Sequence, residues 1–262
     1  MKRDDAKKTP RIRYLSRWEM LGLMGSTAAA ITLAGCGGSE RSGQPGAGET
    51  TDASTAAETT STTCVVRPEQ TEGPYYVDTG LERSDIREER EGVPLELTFN
   101  VSRVDEGDAS ACGPLAGAVV DVWHCDAAGE YSAVEDNAAG DFDTRGETFL
   151  RGYQLTDENG TARFTTIYPG WYQGRAVHIH FTIRDSPESQ QGYEFTSQLY
   201  FDDALTDQVH SQGPYAEKGE RDQLNSEDGI FQGGGDELLL ALTENGQGYA
   251  TTFDIALDTT YG

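Results

Sequence analysis

An all-β fold, a sandwich of antiparallel sheets with long connecting loops, is the class this chain predicts, and three observations predict it. Glycine is abundant, at 31 of 262 residues, and no long stretch carries helical periodicity. Short runs of β-branched and aromatic residues alternate with polar ones. Tight-turn residues stand between those runs.

The amino-terminal residues precede that pattern. Residues 1–35 read as an export signal: Lys2, Arg3, Lys7, Lys8, Arg11, Arg13 and Arg17 give a basic start. The apolar run at 20–34 is too short for a comfortable membrane span. It ends in Leu33-Ala34-Gly35-Cys36, which resembles the lipobox of prokaryotic lipoproteins. That resemblance implies lipidation of Cys36 and an extracytoplasmic protein anchored to the cell membrane. Ser16-Arg17-Trp18 resembles a twin-arginine signal with Trp18 in place of the second arginine, so the export route stays open. Residues 36–63 are Gly, Ser, Thr, Ala, Glu and Asp with almost no large apolar side chain, the composition of a flexible tether. The folded domain is expected at 64–262.

Without residues 1–35 the chain holds 13 basic and 42 acidic residues, a formal −29. Such a surface repels nucleic acid and anionic membranes, leaving the lipid as the membrane contact. It also suits solubility in high salt, as a halophilic source would require, although an ordinary acidic secreted protein carries it too.

The strands follow in order. Residues 94–101 alternate apolar and polar side chains, a half-buried strand. Residues 115–124 form a second strand region, turned by Asp126-Ala127-Ala128-Gly129, with Tyr131 directly after the turn. Residues 149–155 and 162–167 make a hairpin about Asp157-Glu158-Asn159-Gly160. Strands are expected at 176–183, 195–201, 238–242 and 249–257. The acidic, Gly-rich stretch 202–236 reads as a long loop that either covers a site or solvates an edge. Of Cys64, Cys112 and Cys125, one stays unpaired within a monomer. Cys64–Cys112 is the preferred disulfide, both lying in Gly/Thr-rich loop sequence, with Cys125 a buried thiol at a strand end.

The chain centres on 168–181, Tyr-Pro-Gly-Trp-Tyr-Gln-Gly-Arg-Ala-Val-His-Ile-His-Phe. His178 and His180 share one strand face, roughly 7 Å apart along the strand, which suits two ligands on one metal ion. Val177, Ile179 and Phe181 take the other face. Two polar residues on a half-exposed strand is the plainer reading. Against it stand the scarcity of histidine, at 124, 178, 180 and 210 alone, and Tyr172 and Arg175 just before the strand. His124 is expected to be structural, or to support the ligands from behind, and His210 to be solvated in the acidic loop. Tyr131 and Tyr172 both stand near Gly-containing turns. A phenol titrates near pH ~10. A strongly acidic ion such as Fe(III) would be needed to hold two of them ionised at neutral pH.

These motifs together resemble the intradiol ring-cleavage dioxygenases, the catechol and protocatechuate type. The matches are Pro68-Glu69-Gln70-Thr71-Glu72-Gly73-Pro74-Tyr75-Tyr76, Leu115-Ala116-Gly117-Ala118, Asp121-Val122-Trp123 and Gly129-Glu130-Tyr131. Pro169-Gly170-Trp171-Tyr172, Arg175 to His180, and Ser197-Gln198-Leu199-Tyr200-Phe201 follow in the family's order. The resemblance implies Fe(III) held by Tyr131, Tyr172, His178 and His180. It makes Arg175 a substrate-side cation, Gln198 a contact behind the ligands or to substrate, and Tyr172 the ligand that leaves. It places Tyr75 and Tyr76 at the pocket mouth, and Trp171 is a further candidate for the pocket lining. A catechol-type diol and O2 are the implied partners. The short Pro-Gly-Trp-Tyr-x-Gly-Arg form is similar to the extracytoplasmic branch of the family. Oligomeric state stays open, a homodimer included. Two rivals remain: a non-catalytic aromatic- or metal-binding lipoprotein on the same fold, and a Zn-dependent hydrolase built on the His-x-His strand.

Overall fold

The computed structural model describes residues 64–105, 108–135, 143–185 and 192–259. The export signal, Cys36 and the tether lie outside the described residues. Among the described residues nine strands build two sheets that face each other across one apolar core. The first sheet contains β1 (Pro94–Asp105), β2 (Asp108–Pro114), β5 (Thr161–Ile167), β8 (Thr243–Glu244) and β9 (Tyr249–Leu257). Its order is β2-β1-β9-β8, with β5 also paired to β1. The second contains β3 (Val119–Trp123), β4 (Arg151–Leu155), β6 (His178–Arg184) and β7 (Glu194–Tyr200), in the order β4-β3-β6-β7.

The two-residue period of the strands makes the core. Leu95, Leu97, Phe99 and Val101 of β1 point inward, as do Ile179, Phe181 and Ile183 of β6. Phe99 packs on Phe181 and Phe253 with ring centroids 5.2 and 5.9 Å apart. Burying each such side chain stabilises the fold by about 1.5–3 kcal/mol.

The sandwich is not wholly antiparallel. β1 pairs β9 in parallel over Leu95–Arg103 and Tyr249–Leu257, while the other pairs are antiparallel. The strand expected at 238–242 does not form. A 3-10 turn occupies Gly235–Leu238, and Leu239 makes a single bridge to Tyr200. Gly234, at φ 104°, turns the chain just before this run and spoils a regular strand approach. β2 escaped the pattern reading because Asp-Ala-Ser-Ala-Cys-Gly-Pro has weak strand propensity. It is held by its pairing with the end of β1, and the Cys64–Cys112 disulfide ties it to the first described residue.

The stretch 202–236 is largely ordered as short helices. α1 (Asp203–His210) begins at Asp202, whose carboxylate accepts from Leu205 N–H at 2.9 Å. Three 3-10 turns follow at Tyr215–Lys218, Asn225–Glu227 and Phe231–Gly233. His210 is therefore not solvated. It sits on the buried face of α1, its Nε2 3.0 Å from Pro169 O and its ring stacked on Tyr215.

Candidate metal centre and active site

The outer face of the second sheet carries the chemistry. Register places Trp123, His180 and Gln198 in one row across β3, β6 and β7, and His178 beside Tyr200 in the next. The Trp123 indole lies flat on the His180 ring, at 6° and 5.1 Å. His180 cannot swing without displacing it.

Two turns deliver the tyrosines to this face. Asp126 closes the first by accepting the N–H groups of Ala128 and Glu130 on Oδ1, each at 2.9 Å, which returns Tyr131 toward the sheet. The second is Pro169-Gly170. The turns pack so closely that a Cβ on Gly170 would lie 2.4 Å from Ala127 O, and one on Gly129 would lie 2.2 Å from Trp171 O. The glycines of both motifs are thus the condition for bringing Tyr131 and Tyr172 together. The two rings meet edge to face at 5.7 Å.

Around the paired histidines the donor atoms converge. His178 Nδ1 lies 2.6 Å from Ala176 O, so that nitrogen carries the proton and the Nε2 lone pair faces the centre. Nε2 lies 2.9 Å from His180 Nε2 and 3.1 Å from the Tyr172 hydroxyl. Ligands bound at about 2.1 Å and roughly right angles sit about 3 Å apart. These separations have the length expected between neighbouring ligands of one metal ion. Tyr131 completes the set, its ring 6.2 Å from that of His180. All four residues are buried.

Electrostatics match that geometry. Burial first, then the Arg175 charge, holds the His178 imidazole well below its ordinary value. Burial and then His178 do the same to His180. Both are kept in the neutral, ligating form. Burial pushes the Tyr131 and Tyr172 phenols up, so the protein alone leaves them protonated. Ionising them requires a strong cation at the centre.

Arg175 bounds the centre. Its Nε donates to Asp228 Oδ2 at 2.9 Å and NH2 donates to Gln198 Oε1 at 2.5 Å, while NH1 lies 3.4 Å from His178 Nε2. Burial opposes the charge, but Tyr172 and Asp228 outweigh it and raise its pKa, so the guanidinium stays protonated. Gln198 also receives the Tyr200 hydroxyl at 3.1 Å and donates to Thr71 O at 2.8 Å. Its amide is engaged on both ends, which makes it a brace for Arg175.

The remaining candidates fall in different places. Tyr75 stacks on Tyr131 at 4.7 Å and meets Tyr172 edge-on at 6.3 Å, beside the donors. Tyr76 packs on Trp123, accepts from Arg184 NH1 at 2.9 Å and donates to Asp121 Oδ2 at 3.3 Å. It works as a strut behind the His180 support. Trp171 donates from Nε1 to Gly219 O at 3.2 Å, with Lys218 over its ring, tying the tyrosine turn to residues 218–219. His124 is buried, with Nε2 2.7 Å from Thr166 Oγ1 and Nδ1 2.8 Å from Cys125 O. Cys64 and Cys112 are disulfide-bonded, and Cys125 is a buried thiol. Thr71 and Tyr200 lie inside motifs quoted above but carried no role there, and no local motif marks Asp228, which reaches the centre by long-range packing.

A family model described as "Dioxygenase" matches residues 71–259. The structure is similar to the intradiol ring-cleavage dioxygenase from Tetranychus urticae. Identity is 30%, the TM-score is 0.65, and the match covers 76% of this chain and 96% of that one. This chain belongs to the intradiol ring-cleavage dioxygenases. Among curated relatives, this intradiol dioxygenase is 31% identical to a chlorocatechol 1,2-dioxygenase of Pseudomonas putida, over 50% of the chain and 52% of that protein. It is 32% identical to a protocatechuate 3,4-dioxygenase beta chain of Burkholderia cepacia, over 64% and 67% respectively. The chain spans about half the length of the chlorocatechol enzyme.

Proposed function

We propose that this intradiol dioxygenase holds Fe(III) through Tyr131, Tyr172, His178 and His180 and cleaves catechol-type diols with O2 to muconate-type dicarboxylates. The observation that carries the reading is the meeting of two Nε2 atoms and a phenol oxygen at 2.9 and 3.1 Å beside a partly buried guanidinium. Two neutral imidazoles and two phenolates suit a hard trivalent ion. The zinc reading is less well served: among the described residues no group of three His, Cys, Asp or Glu side chains is placed to hold a metal.

When bound, the ferric ion supplies Lewis acidity that draws electron density from the diol, so that O2 reacts with the ring. The protein's part is positional and electrostatic. Trp123 and the Ala176 carbonyl fix the two imidazoles. Tyr172 would be one of the residues holding the ion, and its phenolate, lying beside His178 Nε2, would be placed to take a diol proton. Arg175, partly buried and always charged, meets the negative charge that builds on the ring. Tyr75 stacks on Tyr131 and Trp123 covers the His180 ring, which puts aromatic faces beside the donor atoms.

Lipidation at Cys36 would place the reaction outside the cytoplasm, on a membrane-anchored domain. The enzymatic reading is tested by oxygen uptake with catechol and substituted catechols on the iron-loaded protein. One O2 consumed per dicarboxylate formed is expected. A coloured, iron-replete protein that binds catechol and consumes no O2 would make it a binding lipoprotein instead.

A further inference from the structure

The carboxylate that pairs with Arg175 is buried beside the centre. Asp228 is 2% exposed and stands directly after the 3-10 turn Asn225–Glu227. Its two oxygens have separate tasks. Oδ2 accepts from Arg175 Nε and from the Ala176 backbone N–H, each at 2.9 Å. Oδ1 accepts from Ile230 N–H at 2.7 Å and Phe231 N–H at 3.3 Å. One side chain thus joins residues 228–231 to the approach of β6.

A guanidinium is a planar fork of five N–H donors, so fixing two corners fixes the third. Asp228 takes the Nε corner and Gln198 the NH2 corner, which leaves NH1 facing His178 Nε2. Asp228 is itself held. Gln70 Nε2 donates to Ile230 O at 3.0 Å, Asn225 Nδ2 donates to Phe201 O at 2.7 Å, and Phe231 meets Tyr200 edge-on at 5.0 Å. A charge aimed in advance need not reorganise as the reaction proceeds, which is where its catalytic value lies.

We infer that Asp228 is a positioning residue for Arg175, orienting its guanidinium toward the donor atoms before substrate arrives. The inference rests on the proposed role of Arg175, and the test separates the two. Oxygen uptake and a catechol titration of the visible band are measured on iron-loaded full chain, for wild type, Asp228→Asn, Arg175→Ala and the double variant. Asp228→Asn should lower kcat about 10- to 100-fold and leave KM and catechol binding within about threefold. Iron content and resting colour should not change. Because Asp228 acts through Arg175, the double variant should be no slower than Arg175→Ala within about twofold.

Losses that multiply in the double variant, a defect confined to KM, or an unchanged kcat in Asp228→Asn would each overturn the inference. Wild-type turnover in Arg175→Ala would remove the role of Arg175 and the inference with it. If Asp228→Asn fails to fold, Asp228→Glu replaces it in the cycle. That variant keeps the charge one methylene out of place, and the same partial loss of kcat and the same non-additivity are expected.

Discussion

Strand β6 has two buried faces with opposite chemistry. Ile179, Phe181 and Ile183 face the sandwich core, and His178 and His180 face the candidate site. The inner face is complete, because apolar contact leaves nothing unsatisfied. The outer face is not: among the described residues, His180 Nδ1 is buried with no hydrogen-bond partner, as are Trp123 Nε1 and Arg151 NH1 on the neighbouring β3 and β4. Each such atom costs about 1–3 kcal/mol. Burial alone therefore does not separate core from site on this strand; the polarity of what is buried does.

The sharpest way to break that contrast is to remove one residue from each face. His180→Ala should abolish iron retention and activity while moving the unfolding midpoint of the metal-free protein little. Metal analysis beside thermal melts checks both halves. Phe181→Ala should do the reverse, costing about 3–5 kcal/mol of stability by urea denaturation. The fraction still folded should remain coloured when iron-loaded. If Phe181→Ala lost iron while keeping its stability, the two faces would not be separable.

A third histidine sharpens the comparison. His124 has partners on both nitrogens, and burial pulls its pKa down to about 4, below an unfolded value of 6.5. Between those values the unfolded chain binds a proton that the folded protein refuses, so stability falls as pH drops through this window. The loss is full below about pH 4 and is on the order of 3 kcal/mol. Urea midpoints of the metal-free protein across pH 4–7 should show this acid slope, and a folded His124→Asn variant should show less of it. An identical slope in that variant would assign the acid sensitivity to other groups.

Local pattern made some of this legible and long-range packing hid the rest. β9 falls where its alternation places it, and His178 and His180 share a face because a strand repeats every two residues. Tyr131 and Tyr172 were legible as a pair only through the motifs around them, since nothing in their spacing says that two distant turns will touch. The parallel pairing of β1 with β9 is a property of chain topology and leaves no mark on either strand. Asp228 and His210 sit in an acidic, glycine-rich stretch whose composition suggests solvent. Both are buried because capped helical turns fold that stretch onto the sheet. Net acidity describes a surface; it does not say which carboxylate finds an arginine.

The central claim is that the outer face of β6 and two tyrosine turns form one ferric site. Titrating Fe(III) into the purified protein while recording the visible spectrum tests it most directly, with Tyr131→Phe measured in parallel. The account predicts a burgundy tyrosinate-to-iron band that saturates at one iron per chain and is lost or displaced in Tyr131→Phe. A colourless protein at full iron occupancy, or an unchanged band in Tyr131→Phe, would contradict it.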